Sequence, residues 1–422
     1  MPYSKNSTLT GKKLNEPNSL PDLHIAIPLM DEPDLLTRTL ECIAAQSYLN
    51  FKVYICVNQP ENWWDDPIKS SICRNNARSL EFLSGFKLFD LLVLDHSSRG
   101  RGWKGKRYGV GYARKALMDE ICNAAQRDDI IISLDADTTF PADYLLSVAM
   151  NFREHPEAVA LSVPYFHHTV SDEIASRAIL RYEIYMRHYF LNLMRIGSPY
   201  TFTALGSAMA FPVWAYRATG GLTPKMSGED FYFLQKLRKY GPVILWNDVV
   251  VHPEARFSDR VFFGTGPAMI KGATGDWSSY PVYPANLFNA LLETYLLLPV
   301  LYIKTIETQL VKFFIETSTE KDPFRLLRDN HKDMDHFIRA FHEKLDGLRI
   351  LQYLKSLSIS APGSDETNLR NFFAKQYPGS EINLKTGWAS FSFESSPQAE
   401  LEKIRSFLFE KEMEQRFNST MR

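Results

Sequence analysis

Residues 131–146 read IISLDADTTFPADYLL. An apolar lead ends at Leu134, and two carboxylates follow, Asp135 and Asp137, one alanine apart. Two carboxylates at a strand end cannot both be buried unpaired, because desolvating them costs several kcal/mol. Facing a cleft, they can share a hard divalent cation, Mg²⁺ or Mn²⁺, through oxygen ligands. Phosphate oxygens would fill the open positions of such an ion. The alternative is a turn in which an Asp caps the next helix.

Two further stretches carry groups that could join that chemistry. In GGLTPKMSGEDFYFLQKLRKYG, 220–241, Glu229 and Asp230 open a helix whose apolar face holds Phe233, Leu234 and Leu237. Carboxylates in a first turn are favoured by the helix dipole. One positioned in a cleft would also serve as a general base for a hydroxyl nucleophile. In WNDVVVHPEARFSDRVFFGTG, 246–266, His252 follows a short strand and reads either as structural or as a metal ligand. Arg256, Asp259 and Arg260 sit in a loop ending in glycine. Cations there would stabilise a departing diphosphate, or form a surface ion-pair loop.

GRGWKG, 100–105, formally matches GxGxxG but follows the third strand rather than the first, and no acidic strand end comes some 20 residues later. It reads as a flexible basic loop with Lys104, Lys106 and Arg107 near phosphates, or as a plain turn. Trp63 and Trp64 lie in a loop after the second strand, where they cover the core or stack on a sugar ring.

The elements that must position these groups alternate. HIAIPLM, 24–30, reads as a buried strand, and Pro33 starts a helix striped by Leu36, Leu40 and Ile43. KVYICVN (52–58), LLVLD (91–95) and DIIISLD (129–135) read as strands, with helices from Tyr112 to Gln126 and from Pro141. Strands apolar on both faces, alternating with helices, predict an α/β fold with a mostly parallel central sheet flanked by helices. Ligands in such sheets bind beyond the carboxyl ends of the strands, where Asp135 and Asp137 lie. From about 284 onward the alternation gives way to amphipathic helices over 284–358 and 396–417. The division expected is an arm over 1–22, a nucleotide-binding domain over 23–283 and a helical region over 284–422.

The 422 residues carry a formal net charge of -1 and no run of five or more Lys/Arg, which argues against a nucleic-acid partner. Four cysteines without a CxxC pair predict reduced thiols in a cytoplasmic protein. No apolar leader is seen in MPYSKNSTLTGKK, and NLFNALLETYLLLPVLYI, 286–303, is too interrupted for a membrane span. That window reads as a buried helix or a membrane-surface contact.

In this order the motifs resemble glycosyltransferase family 2, with its GT-A fold. Pro28 and Asp31-Glu32 resemble the end of the family's first strand. Gly109, Ala113 and Arg114 match its G-x-x-x-A-R-N-x-G segment, with Lys115 and Leu117 as departures. Asp135-Ala136-Asp137 falls at its DxD and Glu229-Asp230 at its ED pair. The second strand ends in Asn58 rather than the usual acidic residue, and the 59–90 insertion is long for the family. The resemblance implies an inverting enzyme that moves a sugar from a UDP- or GDP-linked donor to a glycan or lipid-linked acceptor. The donor site implied is Pro28, Glu32, Asn58, Lys106, Arg107, Arg114, Asp135, Arg256 and Arg260. The metal ligands implied are Asp135, Asp137 and His252, and the catalytic pair is Asp230 with Glu229. The setting implied is cell-surface glycan synthesis, in the cytoplasm or at the inner membrane face. The competing expectations are a sugar-phosphate nucleotidyltransferase and a non-catalytic nucleotide-sugar-binding protein.

Overall fold

A computed structural model describes residues 20–258, 264–318, 320–359 and 363–420. The predicted first strand is β1 (Leu23–Leu29), buried throughout. It leads into α1 (Pro33–Ala44), with Pro33 in the first turn, where its missing N–H costs nothing. Then come β2 (Phe51–Asn58), α2 (Ser70–Gly85), β3 (Leu91–His96), α3 (Val110–Ala124) and β4 (Ile130–Ser133). β5 (Thr138–Thr139), α4 (Tyr144–Glu154), β6 (Ala160–Ser162), α5 (Glu173–Arg195), β7 (Met209–Pro212) and α6 (Val213–Ala218) follow. After them stand α7 (Glu229–Tyr240), β8 (Val243–Ile244), β9 (His252–Pro253) and α8 (Thr265–Ala273).

The main sheet runs β3-β2-β1-β4-β7-β6-β8. β1 pairs in parallel with β2 and β4, and β2 with β3. β7 runs antiparallel between β4 and β6. The fold is therefore α/β and mostly parallel, as the strand pattern predicts. β5 and β9 form a separate antiparallel ribbon, with Thr138 opposite Pro253. Some boundaries differ from expectation. α3 starts two residues before Tyr112, and α4 starts at Tyr144 because Pro141 closes a turn by accepting from the Tyr144 N–H at 3.2 Å.

The stretch between β2 and β3 holds α2 and a 3-10 turn at Glu61–Asp65, rather than loop alone. The buried face of α2 is Cys73, Asn76, Ser79 and Leu83. Small and polar residues on that face leave little hydrophobic period to read. Trp64 covers the neighbouring loop by donating its indole N–H to Ser97 O at 2.8 Å.

The C-terminal chain is helical. It comprises α9 (Ala285–Leu296), α10 (Leu298–Ile303), α11 (Gln309–Thr317), α12 (Arg325–Asn330), α13 (Met334–Lys344), α14 (Gly347–Ser358), α15 (Asp365–Gln376), α16 (Glu381–Leu384) and α17 (Gln398–Thr420). The apolar window of 286–303 is broken at Leu297, before Pro299. Leu287, Phe288, Leu291, Leu298 and Leu301 are buried, whereas Leu296 and Ile303 are exposed. Among the described residues no helix is long and apolar enough to cross a membrane. The four cysteines are free.

α5 binds these parts together. Tyr182, Tyr185 and Leu193 pack with Phe288, Leu291, Phe341 and Tyr353. Leu180, Ile184 and Leu191 pack with Phe372, Phe373, Leu401 and Ile404.

Candidate active site

The carboxyl ends of β1, β2 and β4 open into a cavity of about 940 Å³. Pro28, Glu32, Asn58, Arg114, Asp135, Asp137, Glu229, Asp230 and Arg256 all line it. Residues read separately along the sequence thus share one wall.

The Asp135–Asp137 turn is held from both sides. The Leu134 N–H continues the sheet by donating to Ala26 O at 3.1 Å. Buried Thr39, on α1, donates its hydroxyl to Ala136 O and Thr138 O at 2.9 and 3.0 Å. The two carboxylates then diverge. Asp135 pairs with the Arg114 guanidinium. Asp137 accepts from Arg256 Nε and Nη2 at 3.0 and 2.7 Å. Arg256 also pairs with Glu32, so its cation stands between two carboxylates.

Arg114 is the buried centre of the other pair. Only 3% exposed, it bridges Asp135 and Glu229, which is 2% exposed. Its desolvation is offset by those two charges, which keep it protonated. Gly206 makes room: a β-carbon there would collide with the guanidinium. Glu229 is thereby paired with Arg114 as its counter-charge. Asp230, the next residue, also lines the cavity. Gly228 enters α7 at φ 72°, a left-handed turn suited to glycine, and the following Asp230 accepts from the Phe231 N–H at 2.7 Å. Burial, then the adjacent Glu229 charge, push the Asp230 carboxyl up to about 7. A carboxyl poised there can accept a proton near neutral pH.

α2 supports the turn after β1. Asp31 is non-glycine at φ 62°, a conformation that costs about 1 kcal/mol or more. Its N–H donates to Asn76 Oδ1 at 2.9 Å, and its carboxylate accepts from Asn75 at 2.7 Å. Asn76 also donates to Asn58 O and Gln59 Oε1, at 3.2 and 2.8 Å. The strained turn that presents Glu32 is thus tied to the end of β2. Asn58 donates to Leu29 O at 3.0 Å, which fixes its amide at the cavity edge.

Other expected site residues stand elsewhere. His252 does not line the cavity. Its Nδ1 is 2.8 Å from Phe166 O and its ring stacks on His168, with centroids 4.4 Å apart. Lys106 and Arg107 are exposed on the β3–α3 loop and do not line it either. Arg260 lies outside the described residues. Thr39, Asn76 and Gly206 support the site without any sequence motif. Their roles depend on partners distant in the chain.

Glu32, Asp135 and Asp137 form an all-oxygen donor set, which suits a hard cation. A positive group already stands between Glu32 and Asp137. Among the described residues no three His, Cys, Asp or Glu side chains are grouped to hold an ion alone.

Residues 130–272 match the sequence model of glycosyl transferase family group 2. The matched stretch runs from β4 to α8 and includes the aspartate turn, Glu229, Asp230 and Arg256. No curated protein matches the chain. Among solved structures, S. aureus TarS 1-349 is 12% identical over 55% of this chain and 60% of its own, with a TM-score of 0.35. TarS 1-349 in complex with UDP-GlcNAc is 10% identical over 80% of this chain and 91% of its own, with a TM-score of 0.40. The mannosyltransferase PcManGT from Pyrobaculum calidifontis, in complex with GDP-Man and Mn²⁺, is 15% identical over 93% and 88%, with a TM-score of 0.38. The chain thus spans 60% of the length of that first TarS structure.

Proposed function

We propose that this chain, whose residues 130–272 match the model of glycosyl transferase family group 2, is an enzyme that moves a sugar from a UDP- or GDP-linked donor to an acceptor hydroxyl with inversion. The observation that carries this reading is Asp230, a carboxyl raised to about 7 on the wall of the cavity that also holds Asp135, Asp137 and Arg256.

The donor diphosphate lies across the ends of β1 and β4. Asp135 and Asp137 would hold Mg²⁺ or Mn²⁺, which when bound neutralises charge on the diphosphate. Asp230 accepts the proton of the acceptor hydroxyl as its oxygen attacks the anomeric carbon. The new C–O bond forms on the face opposite the diphosphate. The old C–O bond breaks, and its electron pair leaves with the nucleoside diphosphate. Arg256 supplies positive charge to that leaving group. Arg114, clamped by Glu229, orients Asp135 and reacts with nothing. By family analogy we infer a setting in cell-surface glycan synthesis.

The test compares wild type with Asp230→Asn on UDP-, GDP-, TDP- and CMP-linked sugars, each with and without Mn²⁺. The variant is expected to keep the donor-induced rise in melting temperature while transfer falls ~100-fold or more. Wild-type turnover in the variant removes Asp230 from the role of base.

A further inference from the structure

The cavity continues past Asp230. Tyr182 lines it within electrostatic reach of that carboxylate. From there the lining follows one face of α5 through Tyr185 to Leu193, eleven residues on. At the rise of an α-helix that distance is about 16 Å. The facing wall comes from the C-terminal chain. A β-carbon on Gly347 would lie 3.4 Å from Phe231 Cζ, so α14 begins beside the residue after Asp230. Leu348 and Leu351 of α14 line the cavity from that point.

The chemistry of this arm differs from that of the donor end. Carboxylates and guanidiniums crowd the strand ends, whereas aromatic rings and aliphatic side chains line the α5 wall. Further along the same face of α14 the lining reaches exposed Lys355. Asn58 is the one side-chain amide among the described lining residues. It belongs to the donor end, where it is bonded to Leu29 O. Buried sugar hydroxyls without partners weaken binding, and along α5 the tyrosine hydroxyls of Tyr182, Tyr185 and Tyr189 are the polar groups offered to them, beside Met186, Phe190 and Leu193. A hydrocarbon needs only apolar surface.

We propose that the acceptor is an amphipathic alcohol, with its hydroxyl-bearing head at Asp230 and an apolar body lying along α5 against Leu348 and Leu351. This rests on the glycosyl-transfer reading above and adds the acceptor class to it.

The test uses the full chain and n-alkyl β-D-glucosides from methyl to decyl, each below its micelle concentration. Binding is measured by titration calorimetry in the presence of the nucleotide that stabilises the protein most. Affinity is expected to rise by up to about fourfold per methylene, then level off once the arm is filled. Leu348→Asp and Leu351→Asp, each checked for a wild-type melting temperature, are expected to flatten the series. Two variants are used so that one failing to fold leaves the other. A flat series in wild type overturns the proposal, and so does an unchanged steep series in both folded variants, because the chain then binds elsewhere. Tighter binding of lengthening gluco-oligosaccharides also overturns it. Donor hydrolysis in the same preparation separates the two readings. Hydrolysis with a flat alkyl series overturns the acceptor class alone. Absence of both hydrolysis and donor binding overturns glycosyl transfer, and the acceptor class with it.

Discussion

At the scale of the residue, Asp230 gives the molecule a pH dependence of definite sign. An exposed Asp titrates near 4, and burial with the Glu229 charge raises Asp230 to about 7. Between those values the folded chain keeps a proton that the unfolded chain releases. This group therefore favours folding at low pH, and its contribution is lost as pH climbs to 7. Transfer runs the other way, because a base must be ionised. Transfer is expected to rise with a midpoint near pH 7, while Asp230→Asn melts higher than wild type at pH 8. A flat rate profile from pH 5 to 8 would assign the proton transfer to another group. Asp135, Asp137, Asp230 and Arg256 were legible because each follows a strand end or opens a helix, which fixes its place on the chain. Direction was not legible. His252 has a suitable residue type but does not line the cavity, and its Nδ1 lies by Phe166 O. The Arg114–Glu229 pair spans 115 positions, and no local pattern announces it.

At the scale of the element, α17 was expected as a helix over 396–417 but α5 was not, and the buried faces of both were hard to read for one reason. Their contacts bury charge as well as apolar surface. Glu183 and Arg187 of α5 are wholly buried, as are Glu412 and Arg416 of α17 to within 1%. Arg187 donates to Glu183 Oε2 at 2.9 Å and to Glu412 Oε2 at 2.8 Å, and Arg416 donates to Glu412 Oε1 at 2.8 Å. Arg416 also reaches Ser162 O and Leu245 O, at 3.0 and 2.8 Å. Burial alone would raise the Glu183 carboxyl, but Arg187, His167 and Arg405 outweigh it and hold the group well below the carboxylate range. A sequence pattern that scores charges as outward-facing cannot tell which face of such helices is buried. Glu412→Ala leaves Arg187 and Arg416 short of a counter-charge and is expected to destabilise by ~3–5 kcal/mol. The midpoint of urea unfolding checks it, and a change under 1 kcal/mol would show that the charges find other partners.

At the scale of the whole molecule, the sheet and the C-terminal helices share one cavity. Its charged end is built by strand ends and its far wall by α5 and α14. The alternation of strands and helices foretold the first half. The second was legible only as helices, because nothing local to 347–358 says that Leu348 and Leu351 line the same cavity as α5. The Arg256 contact has a consequence in time. It joins Asp137, 119 positions earlier, to Glu32, which lies earlier still, so three distant segments meet at one cation. Contacts across such separations form slowly, because the entropy of closing the chain is lost before the contact is gained. Refolding from urea should therefore show helical circular dichroism returning first and nucleotide-sugar binding lagging behind it. Newly made chains would pass through a stage that is largely helical but has no grip on the donor.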